Sequence, residues 1–227
     1  MSVSARVLGI IRHPRQTLQE VVSHPTWASL LVGLTLATAA AGALVAATDV
    51  GQLALVDQWE RTALAFGQPV DDARYAELQS WSQRGPAVAA ASAVLAGPVV
   101  AGVVSLLAFL WLRHKTAPVS YSQVLAVVVH AGIILALGRL IAAPLVYTRE
   151  TMASATTLGS WFPGFDEASP VARFLGAIDL FTIWWAIVLG IGLAVLSGRR
   201  ARTCAGWVVG LYVGVALIAA AAMAGAA

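Results

Sequence analysis

The sequence predicts an all-α fold, namely a polytopic membrane helical bundle with about five transmembrane helices, a short amphipathic amino-terminal helix and a helical outer loop. Of the 227 residues, 59% are hydrophobic and 11% are charged, whereas soluble proteins average about 45–50% apolar and 25% charged residues. The apolar residues occur in runs of about 20, the length that crosses roughly 30 Å of hydrocarbon. Together these observations exclude an ordinary soluble domain.

The amino-terminal segment 1–26 is expected to be cytoplasmic and amphipathic. Leu18, Val21 and Val22 share one face of a helix that begins at Pro14, and this spacing is typical of an amphipathic helix. Such a helix lies either on the inner membrane surface or packed under the bundle, and the sequence does not decide between the two. A removable signal peptide is not expected, because no apolar run precedes a small-residue cleavage site.

A transmembrane domain is expected over residues 27–227. Its spans are predicted at about 27–48, 86–112, 121–147, 173–196 and 204–224. The fourth span is followed by Arg199 and Arg200 and has Asp179 inside its apolar run.

Small residues recur every four positions in the last two spans, where they predict a helix-packing face. They are Ala186, Gly190 and Ala194 in the fourth span, and Gly206, Gly210 and Gly214 in the fifth. We expect these two faces to pack against each other as an antiparallel pair.

The outer loop, residues 49–85, holds most of the acidic side chains. Leu53, Val56 and Leu64 predict the apolar face of one helix, and Gly67 begins a turn that separates it from a second helix. An acidic surface of this kind can attract cations. Carboxylates on a solvated helix face are the commoner explanation, and we favour it.

The distribution of charge predicts the orientation. The amino terminus and the loops after the second and fourth spans are short and basic, whereas the other two loops hold nine of the acids. Five spans with a cytoplasmic amino terminus and an outside carboxyl terminus satisfy this pattern, in the cytoplasmic (inner) membrane of a bacterium. Since topology explains the basic excess of three charges, a nucleic-acid partner is not expected.

Three polar residues inside the spans are candidates for a functional site: His130, Arg139 and Asp179. Charges there cost roughly 2.5–3.5 kcal/mol each and usually face a partner or a cavity. At 1.5 Å per residue, Arg139 and Asp179 reach a similar depth, so we expect a structural salt bridge between them. An ion, proton or anionic-lipid site, and separate snorkelling, are the alternatives. His130 falls on the opposite helix face from Arg139 and is expected to be a hydrogen-bonded core residue.

Catalytic signatures are missing from the sequence. It contains no Walker-type loop, no H-E-x-x-H, no Cys-x-x-Cys and no Gly-x-Ser-x-Gly. Its histidines show no metal-ligand spacing, and the single cysteine, Cys204, allows no intrachain disulfide. We expect neither an enzyme nor a bound cofactor or metal.

Three segments together resemble the bacterial branch of the Yip1 family of membrane proteins. They are HPRQTLQEVVSHPTWASLL (13–31), VSYSQVLAVVVHAGI (119–133) and AIDLFTIWWAIVLGIGLAVLSGRRART (177–203). The resemblance implies a five-span bundle with a cytoplasmic amino terminus and no known enzymatic role. The small-GTPase link of eukaryotic relatives does not carry over, because no aspartate precedes Leu95-Ala96-Gly97-Pro98.

The sequence thus favours a non-catalytic integral membrane protein of Yip1-like type that organises or binds membrane components. Its expected partners are the lipid bilayer and other membrane proteins or further copies of itself. The alternative is a small transporter or channel subunit that uses Arg139 and Asp179 in a polar pathway.

Overall fold

The structure is a computed structural model that describes residues 3–65, 67–113, 119–151, 155–162, 164 and 169–225. These residues form helices joined by turns, as the sequence predicts. In chain order the helices are α1 (Val3–Arg12), α2 (Pro14–Ser23), α3 (Ala28–Ala46), α4 (Asp49–Ala65), α5 (Asp72–Ser82), α6 (Gly85–Arg113), α7 (Tyr121–Arg149), α8 (Pro170–Ala177), α9 (Leu180–Ser197) and α10 (Ala201–Gly225), with a 3-10 turn at Leu158–Trp161.

Within the described ranges, five helices are long and apolar enough to cross a membrane: α3, α6, α7, α9 and α10. The shortest, α9, has 18 residues and is about 27 Å long at 1.5 Å per residue, close to the roughly 30 Å of hydrocarbon in a bilayer. The prediction of a five-span helical membrane protein is confirmed. The division of the chain at residues 26 and 27 stays a prediction.

The fourth span differs from its predicted bounds of 173–196. A separate helix, α8, ends at Ala177, Ile178 is extended with ψ at 107°, and α9 begins at Leu180. Ser169 starts α8, because its side chain accepts a hydrogen bond from the Ala172 nitrogen at 3.1 Å and so caps the helix. Asp179 therefore precedes the membrane helix and does not lie inside it.

The described chain divides into two compact units. The first comprises Met1–Leu36, Val94–Leu137 and Phe181–Tyr212, and the second comprises Ala37–Ala93, Gly138–Leu180 and Val213–Ala227. Eight basic residues and one acid fall in the first unit, against six basic residues and ten acids in the second. The formal net charges are therefore +7 and −4. Of these residues, Lys115, Asp166 and Glu167 lie outside the described part.

The first unit has a core into which the amino-terminal helices insert. Ile10 of α1 and Leu18 of α2 are fully buried in one cluster with residues of α6, α7 and α9; these include Leu112, Val124, Ile134 and Val188. The structure thus packs α2 against the other helices of this unit, which agrees with the predicted alternative of a helix packed under the bundle. It also shows a helix, α1, that the sequence pattern did not predict.

Two glycines allow α9 to approach its neighbours closely. A Cβ on Gly190 would lie 2.6 Å from the backbone nitrogen of Ala205 in α10, and one on Gly192 would collide with Val127 of α7. Neither position has room for a side chain. Only glycine fits at these positions, which fixes α9 against α7 and α10 in this unit.

The second unit contains the pair of helices α4 and α5, which the sequence predicts. A turn that includes Gly67 separates the two helices, and the φ of 69° at this residue favours glycine. On the predicted apolar face, Val56 is buried, whereas Leu53 and Leu64 are more than half exposed. Ala54 is buried as well.

Acidic side chains on these two helices pair locally with arginines. Arg61 Nη2 lies 2.9 Å from Asp57 Oδ2, and Arg74 Nη1 lies 2.5 Å from Glu77 Oε2. The spacings, i to i+4 and i to i+3, are those at which side chains meet on a helix surface. These pairs support a solvated helix surface.

Candidate functional site

His130 lies fully buried on α7, in the first unit. Its Nδ1 is 2.7 Å from the Ala126 carbonyl oxygen, one turn earlier. Because a carbonyl only accepts hydrogen bonds, Nδ1 carries the hydrogen, and in the neutral ring Nε2 is then an acceptor. In the part of the chain that the structure describes, this Nε2 is buried and has no hydrogen-bond partner.

A second unsatisfied atom belongs to Arg6 on α1. Its Nη1 donates a hydrogen bond to Thr26 Oγ1, but its Nε is buried and finds no partner among the described residues. Arg6 and His130 both belong to the first unit, so a donor and an acceptor are unsatisfied in the same unit. The sequence pattern missed Arg6, which interrupts the apolar residues Val7, Ile10 and Ile11 of α1.

Arg139 lies on α7 within the second unit, two residues beyond Leu137, where the first unit ends. Its side chain is exposed, and the neighbouring Leu140 and Ile141 are 44% and 42% exposed. It forms no ion pair with Asp179 in the described structure. The predicted salt bridge is therefore wrong.

Asp179 instead holds the chain at the break between α8 and α9. Its Oδ2 accepts a hydrogen bond from Thr156 Oγ1, and its backbone forms an antiparallel bridge with Thr157. The bridge is closed by two backbone hydrogen bonds, from Leu158 N to Ile178 O at 2.8 Å and from Leu180 N to Thr156 O at 3.0 Å.

The position of Asp179 explains why an acid occurs here without Arg139. It immediately precedes α9, where a carboxylate interacts favourably with the free N–H groups and the dipole of the helix. The sequence pattern missed Thr156, because a hydropathy profile does not indicate which loop residue lies beside Asp179.

The three predicted polar residues do not form one cluster. His130 belongs to the first unit, whereas Arg139 and Asp179 belong to the second and do not pair. Within the residues described, no group of three possible metal ligands occurs. Each polar residue thus has its own local environment.

The predicted helix-packing residues divide into two groups. Ala186, Gly190 and Ala194 of α9 are buried, and Gly190 contacts α10 through Ala205. A Cβ on Gly206, Gly210 or Gly214 would meet nothing within 4 Å. The α9 face is therefore used inside the chain, whereas the glycine face of α10 is open.

Comparison with known proteins gives one match. A family model described as the Yip1 domain matches residues 8–223, which is nearly the whole chain. No curated protein and no solved structure matches it.

The hydrogen bond between Thr156 and Asp179 can be measured by a double-mutant cycle. We expect Thr156→Val and Asp179→Ala each to lower the thermal stability of the detergent-solubilised protein, because each removes the hydrogen bond that joins the two side chains. The double variant should lose less than the sum, by about 1–2 kcal/mol for a hydrogen bond to a charged group. Asp179→Asn, which retains an acceptor, is the matched control. Additive losses would contradict the contact.

His130→Leu tests whether the buried imidazole is satisfied by a group that lies outside the chain. Leucine removes the unpaired Nε2, whose burial costs about 1–3 kcal/mol, and leaves no orphan, since Ala126 O also accepts within the helix. We expect the unfolding temperature to remain the same or rise. A fall of several degrees would show that Nε2 has a partner, such as a bound water molecule.

Proposed function

Because the chain belongs to the Yip1 domain family, we propose that it is a non-catalytic integral membrane protein that binds and organises other membrane components. The observation that carries this proposal is the open glycine face of α10. Gly206, Gly210 and Gly214 repeat at intervals of four residues, and a Cβ on any of them would meet no atom of the described residues within 4 Å.

Small residues at this spacing let two helix backbones approach closely in a membrane, where van der Waals packing and not the hydrophobic effect drives association. The flanks away from the glycines are covered, since Cys204 and Ala216, each about 120° around the helix from Gly210, are buried. One side of the helix therefore holds it in the bundle, and the other supports contact with a helix of another membrane protein or a further copy.

We also propose an orientation in which the amino terminus and the basic turn after α9 lie on the cytoplasmic side of a bacterial inner membrane. These segments carry Arg6, Arg12 and Arg15, and Arg199 and Arg200, and short basic segments are retained in the cytoplasm. The guanidinium of Arg199 lies 5.6 Å from the centre of the Trp111 ring, which supports an interfacial position for both groups. The amino terminus would then be cytoplasmic and the carboxyl terminus outside.

Transport through a polar site at Arg139 and Asp179 stays a prediction. No specific observation favours it, since these two side chains do not pair.

The role of the α10 face can be tested by photo-crosslinking in native membranes. Leu217 lies on the same side as the glycines and is 51% exposed, so a photoreactive residue there should yield a protein adduct. Gly210→Leu should reduce the adduct at least about fivefold, because its side chain holds the backbones apart. Gly33→Leu, at an exposed and open glycine of α3, should not.

Two results would contradict the proposal. One is the absence of any protein adduct from Leu217 while the protein remains folded in the membrane. The other is an adduct that Gly210→Leu and Gly33→Leu leave equally strong.

A further inference from the structure

Arg139 is a permanent charge exposed on an apolar helix. It lies four residues beyond the middle of the stretch 124–146 of α7, about 6 Å along the axis at 1.5 Å per residue. The hydrocarbon extends about 15 Å on either side of its midplane. If that stretch is centred in the membrane, the Cα of Arg139 is about 9 Å below the hydrocarbon boundary.

A guanidinium at this depth requires an anionic partner. It remains protonated in proteins, so it cannot escape the cost of burial by losing its charge, and that cost is roughly 2.5–3.5 kcal/mol even on the mildest scale. The helix surface around it is apolar, since Ala142, Ala143 and Val146 share its face at i+3, i+4 and i+7. No described side chain of the second unit forms an ion pair with it.

A second copy of the chain could not supply the missing acid from a membrane helix. The helices α3, α6, α7, α9 and α10 contain no aspartate or glutamate. Asp179, which directly precedes α9, accepts a hydrogen bond from Thr156 at the helix break. The partner must therefore come from outside the spanning helices of this protein.

We propose that Arg139 binds the phosphate group of one phospholipid, in the leaflet nearer to the carboxyl-terminal end of α7. The guanidinium offers two parallel N–H donors that match a phosphate. The side chain can extend towards the membrane surface, and local thinning lowers the headgroup to meet it. The acyl chains then lie along the apolar face that Arg139 shares with Ala143 and Val146.

A tyrosine further along α7 supports this position. Tyr147 lies two turns beyond Arg139, about 12 Å nearer the end of the helix, and is 56% exposed. Tyrosine is enriched at the level of the headgroups. The exposed side of α7 thus presents apolar groups, a deep cation and an interfacial phenol to the same lipid. This site lies in the second unit and does not depend on the proposed role of α10.

Native mass spectrometry of the purified full-length protein, titrated with phosphatidylglycerol, tests the proposal. Wild type should bind one lipid more tightly than the rest, and Arg139→Gln should weaken that first binding step at least about tenfold. Arg149→Gln, at the exposed end of the same helix, is the matched control and should bind as wild type does. Diacylglycerol, which has acyl chains but no phosphate, should not occupy the site.

Arg139→Lys preserves the charge and loses the paired donors, so it should weaken the first step by a smaller factor. This variant carries the test if Arg139→Gln does not fold. Unchanged lipid affinity in both variants would overturn the proposal. A second result would also overturn it. If the Arg139→Gln variant loses a co-purifying protein and keeps its bound lipid, the partner of Arg139 is an acidic side chain of that protein.

Discussion

Five apolar helices can cross a bilayer only if their charges are kept at the ends or given partners, and this constraint organises the whole chain. The charges are strongly segregated: eight of the fourteen basic residues and one of the eleven acids fall in the first compact unit. A formal difference of eleven charges between two units of one small protein is large. The helix ends, the amino-terminal helices and the loops all follow from this separation.

The spanning helices, the two-helix outer loop and the buried face of α9 could be predicted from the sequence, since each depends on local composition or a four-residue repeat. The break at Ile178 and Asp179 could not be predicted in this way. The hydropathy profile is apolar on both sides of the break, and the hydrogen bonds that stabilise it join it to Thr156 and Leu158, which are distant in sequence. The predicted salt bridge failed for the same reason, because matched depth does not imply matched faces.

The glycine repeats show a similar limit. Two stripes of small residues in successive helices suggest that they pack on each other, yet Gly190 meets Ala205, while Gly206 faces open space. The periodicity identifies a helix face that another backbone can approach closely. Whether a neighbouring helix packs on that face depends on how the two helices are rotated. In this protein, one stripe stabilises the fold and the other remains available, which is the physical basis of the proposed binding role.

The central proposal is that the amino terminus and the basic turn after α9 lie in the cytoplasm, and reporter fusions at two sites test it most directly. A fusion after Ser160 joins the reporter to the acidic second unit, and one after Gly198 joins it to the basic turn of the first. A reporter that is active only outside the cytoplasm should be active after Ser160 and inactive after Gly198. Activity at both sites, or the reverse pattern, would contradict the account.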